Sequence, residues 1–383
     1  MLARSLRRSD PPPSRPLPAY LFFGFAVASV GGPIALLSML PGAAGNAIHS
    51  AGLVVALSLA VFTAPLGIWV VYSRQIVSAG GLSAFVQAAA GRRAAVAHGW
   101  VWAIAYFLYL PSTVTYIVYE LLPPVFPGIS AYRVSLELVL PIAIVAVVLA
   151  PVRWVLVGLG ALAVAQVATM LVLAGYEFSR TSAPFASQPG VDEVGRATAG
   201  TALLFICSSL PLYLAAEVRG EGRTVRRGLI AAVAIVGAAF LVAAIPLPGV
   251  PAGLRNAAVP GAAIARAYAG RGLAVTVGLL TACSALALIV AEYLALGRLL
   301  HWLHGAPVRS LLRWIALPFV AADAISLVEP ERFYDDLLKP SLVALFTSQL
   351  MVFLAFPRYQ RGPLPIVAAV AASALAIWGL YTV

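Results

Sequence analysis

The chain has 383 residues, of which 62% are hydrophobic and only 10% charged, with a formal net charge of +11. A soluble chain of this length would fold as two or three domains and carry about 25% charged residues. That composition, with a mean hydropathy of +0.96, excludes cytosolic enzymes, secreted disulfide scaffolds and nucleic-acid binders. It describes an all-α integral membrane protein. The basic residues are scattered between apolar runs without interleaved aromatics, so anionic lipids are the expected partner of the positive charge, not nucleic acid.

Residues 1–17 read as a disordered basic tail, with Arg4, Arg7 and Arg8 followed by Pro11, Pro12, Pro13 and Pro16. The apolar run beyond it continues to Leu40, too long for a signal-peptide core. About eleven transmembrane helices are expected, at 18–40, 52–72, 96–122, 136–150, 152–176, 199–218, 228–246, 272–300, 311–328, 337–356 and 364–381. Most match the ~20 residues that cross a ~30 Å hydrocarbon core. Placing the N-terminus inside puts basic residues on the inner loops over the outer ones by about two to one, as the positive-inside rule requires. Eleven spans then leave the C-terminus outside. Cys207 and Cys283 both fall within apolar runs, so no disulfide framework is expected.

Two helices are interrupted in their middles. Helix 1 contains Ser29-Val-Gly31-Gly32-Pro33, and helix 6 contains Cys207-Ser208-Ser209-Leu210-Pro211. Unpaired backbone in a membrane is tolerated where it lines a protein-enclosed cavity. The breaks lie five helices apart, so the two helices run in opposite directions. This divides the chain into a first five-helix unit at 18–176, an inverted second unit at 199–356 and an extra helix at 364–381, the signature of an inverted-repeat transporter. Half-helix ends at the midplane suit a zwitterion, with N–H groups for a carboxylate and carbonyls for an ammonium.

Further residues carry a family resemblance. Ser78-Ala-Gly80-Gly81-Leu-Ser-Ala-Phe85, then Gly91-Arg-Arg and His98-Gly99-Trp100, resembles the helix 2–3 segment of amino acid permeases of the amino acid–polyamine–organocation (APC) superfamily. Ala216-Glu217-Val218 followed by Arg223 and Arg226-Arg227 is similar to that family's acidic-then-basic stretch after helix 6. Arg298-Leu-Leu resembles the end of its helix 8. The resemblance covers helices 1–10 and implies a LeuT-type five-plus-five fold with helices 1, 2, 6 and 7 as a moving bundle. It implies that Gly31 and Gly32 offer amides to a substrate carboxylate, and that Ile206 and Cys207 offer carbonyls to its amine. Gly-Gly-Pro and Ser208-Ser209-Leu210 depart from the usual patterns of helices 1 and 6, and a twelfth helix is missing.

Glu292 lies roughly 12 Å inside the inner end of helix 8 at 1.5 Å per residue. An ionisable residue at that depth is a functional candidate by default. It shares a stripe with Thr281, and Ser284 lies nearby; the three form a candidate ion-coupling group for a proton or sodium. The other reading pairs Glu292 with Arg298. Tyr106 and Tyr109 in helix 3 either hydrogen-bond the substrate or pack. Glu137 and Glu177 are expected at outer helix ends, and Asp323 nearer a helix end, solvated or paired at the outer surface. Asp335-Asp336 reads as an outer loop.

His301 and His304 read as an interfacial anchor, with no metal site expected, and Gly158-Leu-Gly160 lacks the preceding strand of a dinucleotide fingerprint. The substrate-binding candidates are thus Ser29, Gly31, Gly32, Pro33, Tyr106, Tyr109, Ile206, Cys207, Ser208 and Ser209. The expected function is a secondary transporter, symporter or exchanger, of amino acids or related organic amines across the cytoplasmic membrane by alternating access. It would use no cofactor beyond a coupling ion. The alternatives are an integral-membrane enzyme and a non-transporting subunit.

Overall fold

Helical hydrogen bonding satisfies backbone polar groups within each segment, and the chain takes that route almost throughout, as burial in lipid demands. A computed structural model describes residues 16–181 and 190–383; among these there is no strand, only one isolated β-bridge. The first predicted helix is two helices, α1 (Ala19–Ala28) and α2 (Pro33–Ala44). Gly31 and Gly32 between them have φ of 62° and 66°, a left-handed conformation that glycine adopts without strain. Pro33 then starts α2 at a position where its missing N–H costs nothing.

The remaining long helices are α3 (Ala51–Tyr72), α5 (Arg92–Tyr116), α6 (Arg133–Leu149), α7 (Val152–Arg180), α8 (Val191–Leu203) and α9 (Glu221–Ala244), with the short α4 (Leu82–Ala90) preceding α5. They are followed by the short α10 (Ala252–Arg255) and α11 (Pro260–Ala269), then α12 (Arg271–His304), α13 (Val308–Ser326), α14 (Pro330–Tyr359) and α15 (Pro363–Thr382). Helix 6 is also split. α8 stops at Leu203, and a 3₁₀ segment, Ile206–Glu217, continues the path. Among the described residues nine helical stretches are long and apolar enough to cross a membrane, one of them, Ala19–Tyr72, containing α1, α2 and α3. α13 is not among the nine; it carries Arg309, Arg313 and Asp323 within 19 residues. The protein is a multi-pass membrane protein.

Several expectations are corrected. The tail reading of 1–17 fails at its last residue: Leu17 is buried, its N–H donates to Glu217 O at 2.6 Å, and its carbonyl accepts from Arg219 N–H at 2.9 Å. The preceding residues up to 15 lie outside the described residues. Helix 6 starts at Val191, eight residues before the expected 199, because Asp192 and Glu193 in its first turn and Arg196 in the next hide the helix from hydropathy. Asp335 and Asp336 lie on α14, where Asp336 pairs with Arg332 at 3.4 Å, one helical turn away.

α1 packs against α7 where Gly24 meets Gly160; a Cβ on Gly24 would lie 2.9 Å from the Gly160 Cα. Small residues allow this close approach between membrane helices, which is what Gly160 does in place of binding a nucleotide. α5 packs along α14, with Ser341 Oγ donating to Ala105 O at 2.7 Å. His98, also on α5, meets Ser83 of α4 at 2.8 Å.

Candidate functional site: a cavity between the two helix breaks

The backbone interruptions of helices 1 and 6 meet inside the bundle. A Cβ on Gly31 would lie 2.7 Å from the Leu204 carbonyl, so the two breaks touch backbone to backbone. Beside this contact is a cavity of about 270 Å³, just below the ~300–1,000 Å³ range of small-molecule sites. Gly31 and Met39 form one wall, Leu203, Leu204, Ile206 and Cys207 a second, and Tyr106 and Tyr109 of α5 a third. α12 contributes Leu288 and Glu292, and α14 contributes Tyr334, Ser341 and apolar side chains including Phe346.

Six of the residues singled out from sequence therefore line one cavity: Gly31, Tyr106, Tyr109, Ile206, Cys207 and Glu292. Glu292 is 1% exposed, and neither carboxylate oxygen has a hydrogen-bond partner. Arg298 does not neutralise it. That guanidinium is committed to Glu217, with Nε–Oε1 at 2.6 Å and Nη2–Oε2 at 3.1 Å, and also donates to Leu294 O. Two pieces of the permease-like pattern, the acid after helix 6 and the arginine of helix 8, thus form one ion pair. The Tyr106 hydroxyl is likewise buried, with the Cys207 thiol as its neighbour in the cavity wall. Among the described residues no lysine, arginine or histidine lines the cavity.

The other sequence candidates lie around the cavity without lining it. Ser29 Oγ donates to Phe25 O at 2.8 Å, Ser208 Oγ to Phe205 O at 2.6 Å, and Ser209 Oγ to Ile206 O at 3.2 Å. These hydroxyls serve carbonyls near the breaks, a local replacement for lost helical bonds. Gly31 N–H donates to Ser29 O at 2.9 Å, so the amide assigned by resemblance to a substrate carboxylate is engaged within the break. Pro33 is buried at the start of α2. Gly32 abuts Ser284, whose Oγ occupies the space a Cβ would need. Ser284 Oγ in turn donates to Gln166 Oε1 at 2.9 Å, and Thr281 Oγ1 donates to Val277 O at 2.8 Å.

Three participants escaped the sequence reading. Gln166 of α7 is 1% exposed, with its Nε2 unpartnered beside Ser284; a polar residue in the middle of an apolar run is the signal that would have found it. Gln349 of α14 donates to Ser209 Oγ at 3.3 Å. Tyr334 lines the cavity but precedes the expected start of its helix. His301 bonds the Ala306 carbonyl at 2.7 Å, and the His304 ring stands edge-on to Trp100.

The structure is similar to MhsT solved in complex with L-phenylalanine, at 14% identity and TM-score 0.66, covering 94% of this chain and 97% of that one. It is similar to a Na⁺-coupled sialic acid symporter, at 13% identity and TM-score 0.62, covering 96% and 89%. A mutant of the Eremococcus coleocola manganese transporter aligns over 97% and 90% of the two chains, at 13% identity and TM-score 0.59. The chain has the LeuT fold. No protein-family model matches the sequence, and no curated protein matches it, so the permease resemblance narrows here to the architecture. A LeuT fold explains why the interrupted helices meet at the cavity.

Proposed function

We propose that the protein is a secondary active transporter of small organic solutes, amino acids or related amines, working by alternating access around the cavity between the two helix breaks. The observation that carries this reading is the unpartnered Glu292 carboxylate on the cavity wall beside the Tyr106 and Tyr109 rings. A buried charge without a partner is costly, and a cationic group entering the cavity would offset that cost. Aromatic faces add to the attraction for an ammonium. The known transporters sharing this architecture, among them a Na⁺-coupled symporter, support the class. An enzyme reading has less to stand on: among the described residues Glu292 has neither a histidine nor a second acid beside it in the cavity.

In this reading residues 18–176 and 199–356 are two inverted five-helix units and 364–381 is an additional helix. The N-terminus is inside and the C-terminus outside the cytoplasmic membrane, and the chain is a member of the APC superfamily. Coupling uses a proton or sodium at Glu292, with Thr281 and Ser284 supporting it, and anionic lipids contact the inner basic loops. The test is reconstitution in liposomes and uptake of a radiolabelled mixture of amino acids and amines under a proton gradient, a sodium gradient or internal solute alone. Accumulation under one condition is expected and would name the driving force. A folded protein that takes up nothing under any of them would contradict the reading.

A further inference from the structure

Outside the central cavity a second set of acids is buried between α6 and α13. Glu137 is 0% exposed, and its Oε1 accepts from both Thr115 Oγ1 and Ser326 Oγ at 2.6 Å. Asp323, one turn before Ser326, is also 0% exposed, and neither of its carboxylate oxygens has a partner; Glu137 Oε2 has none either. Ser326 links the two: its Oγ lies 2.6 Å from Glu137 Oε1 and 2.7 Å from the Asp323 carbonyl. The sequence places both acids near helix ends, and Asp323 in contact with water or a counter-charge; the structure buries both and gives Asp323 neither.

The groups facing this pair are few. Thr115 and Ser326 present hydroxyls, and Tyr119 lies within electrostatic reach of Glu137. Arg133 rests over the Tyr119 ring, 5.0 Å from its centroid, and makes no ion pair with Glu137 or Asp323. On α12, which packs against both helices, Tyr293 donates to Leu312 O, Arg298 holds Glu217, and Glu292 faces the cavity. On α7, Glu177 is itself buried with neither carboxylate oxygen partnered. Glu120 lies within electrostatic reach of Tyr116. Two ionised carboxylates with no facing cation would repel one another, and each would bear a desolvation cost of several kcal/mol.

The hydrogen bonds separate the roles of the two acids. Both hydroxyls are placed to donate to Glu137, an arrangement that stabilises an anion. Among the described residues nothing donates to the Asp323 carboxylate; Ser326 Oγ also reaches the Asp323 backbone carbonyl, at 2.7 Å. We propose that Glu137 and Asp323 form a proton-binding site, with the proton held on Asp323 and Glu137 as its anionic neighbour. The site is separate from the substrate cavity. Thr115 nevertheless lies on α5, the helix that carries Tyr106 and Tyr109 into that cavity, so a proton arriving or leaving here acts on a wall of the cavity.

The test does not depend on transport. Infrared spectra of the purified protein in lipid at neutral pH should contain a protonated-carboxyl C=O band that moves in D₂O and moves again when aspartate is labelled with ¹³C at its carboxyl carbon. Among the described residues Asp192, Asp335 and Asp336 are exposed, and Asp323 is the one buried aspartate. Loss of the band in Asp323→Asn, with Glu292→Gln leaving it in place, would support the site. No aspartate-sensitive protonated band in the wild type would overturn it, even if the Asp323→Asn variant did not fold. Disappearance of the band when sodium chloride replaces choline chloride at constant pH would make a metal cation the occupant and would also overturn it.

Discussion

Glu292 and Glu217 sit on elements that build the same cavity, yet they are treated in opposite ways. Glu217, at the end of the 3₁₀ half of helix 6, holds Arg298 through two hydrogen bonds, while its backbone carbonyl receives the Leu17 N–H. Glu292, six residues before Arg298 on α12, receives no donor. One acid is consumed in tying the N-terminal segment, helix 6 and α12 together at one end of the bundle. The other is kept unpaired where the helix breaks open a cavity. The pairing of a membrane acid thus separates a fastening role from a ligand-facing one, where depth in the sequence alone does not.

The largest effect expected from breaking this contrast is at Glu292. Glu292→Gln should weaken binding of an amine-bearing solute by about 10–100-fold, the equivalent of the ~1.5–3 kcal/mol of a hydrogen bond to a charged group. It should also abolish gradient-driven accumulation while sparing exchange. Because no partner is left behind, its thermal unfolding should be unchanged or raised, which light scattering or calorimetry on the same preparation would show.

Gly32→Ala attacks the framework instead. It combines the ~1–2 kcal/mol cost of a left-handed side chain with displacement of Ser284, and should lower the unfolding temperature markedly while leaving Glu292 in place. Glu217→Ala should cost roughly 2–3 kcal/mol, less than the ~3–5 for a fully buried pair, since Glu217 is 30% exposed. Its signature is lost stability with solute binding retained in the molecules that remain folded. The smallest effect is expected for Tyr109→Phe, about tenfold or less in apparent affinity, because one neutral hydroxyl contributes ~0.5–1.5 kcal/mol. Equilibrium binding with a radiolabelled solute would measure it.

Much of this contrast was legible in the sequence. Ser29-Val-Gly31-Gly32-Pro33 and the Cys207-Ser208-Ser209-Leu210-Pro211 cluster can hardly form continuous helix, and the depth of Glu292 follows from counting residues. What pairs with what was not legible, because partners come from helices distant in sequence: Arg298 is 81 residues from Glu217, and Ser326 is 189 from Glu137. Asp323 looked close enough to a helix end to be solvated, yet packing of α13 on α6 covers it completely. The helices α10 and α11 escaped notice because Pro251, Gly253 and Pro260 punctuate a stretch too short and too polar to register as a span.

Cys207 provides the most direct probe of the cavity, since it lines the same cavity as Glu292 and the one other cysteine, Cys283, does not. In a Cys283→Ser background, the rate at which a small cationic thiol reagent modifies Cys207 should be measured with and without saturating transported solute, in wild type and in Glu292→Gln. Binding at the helix breaks predicts slower modification when solute is present, and loss of that protection once the Glu292 charge is removed. A rate that responds to neither, in folded protein that still takes up solute, would place the transport site elsewhere.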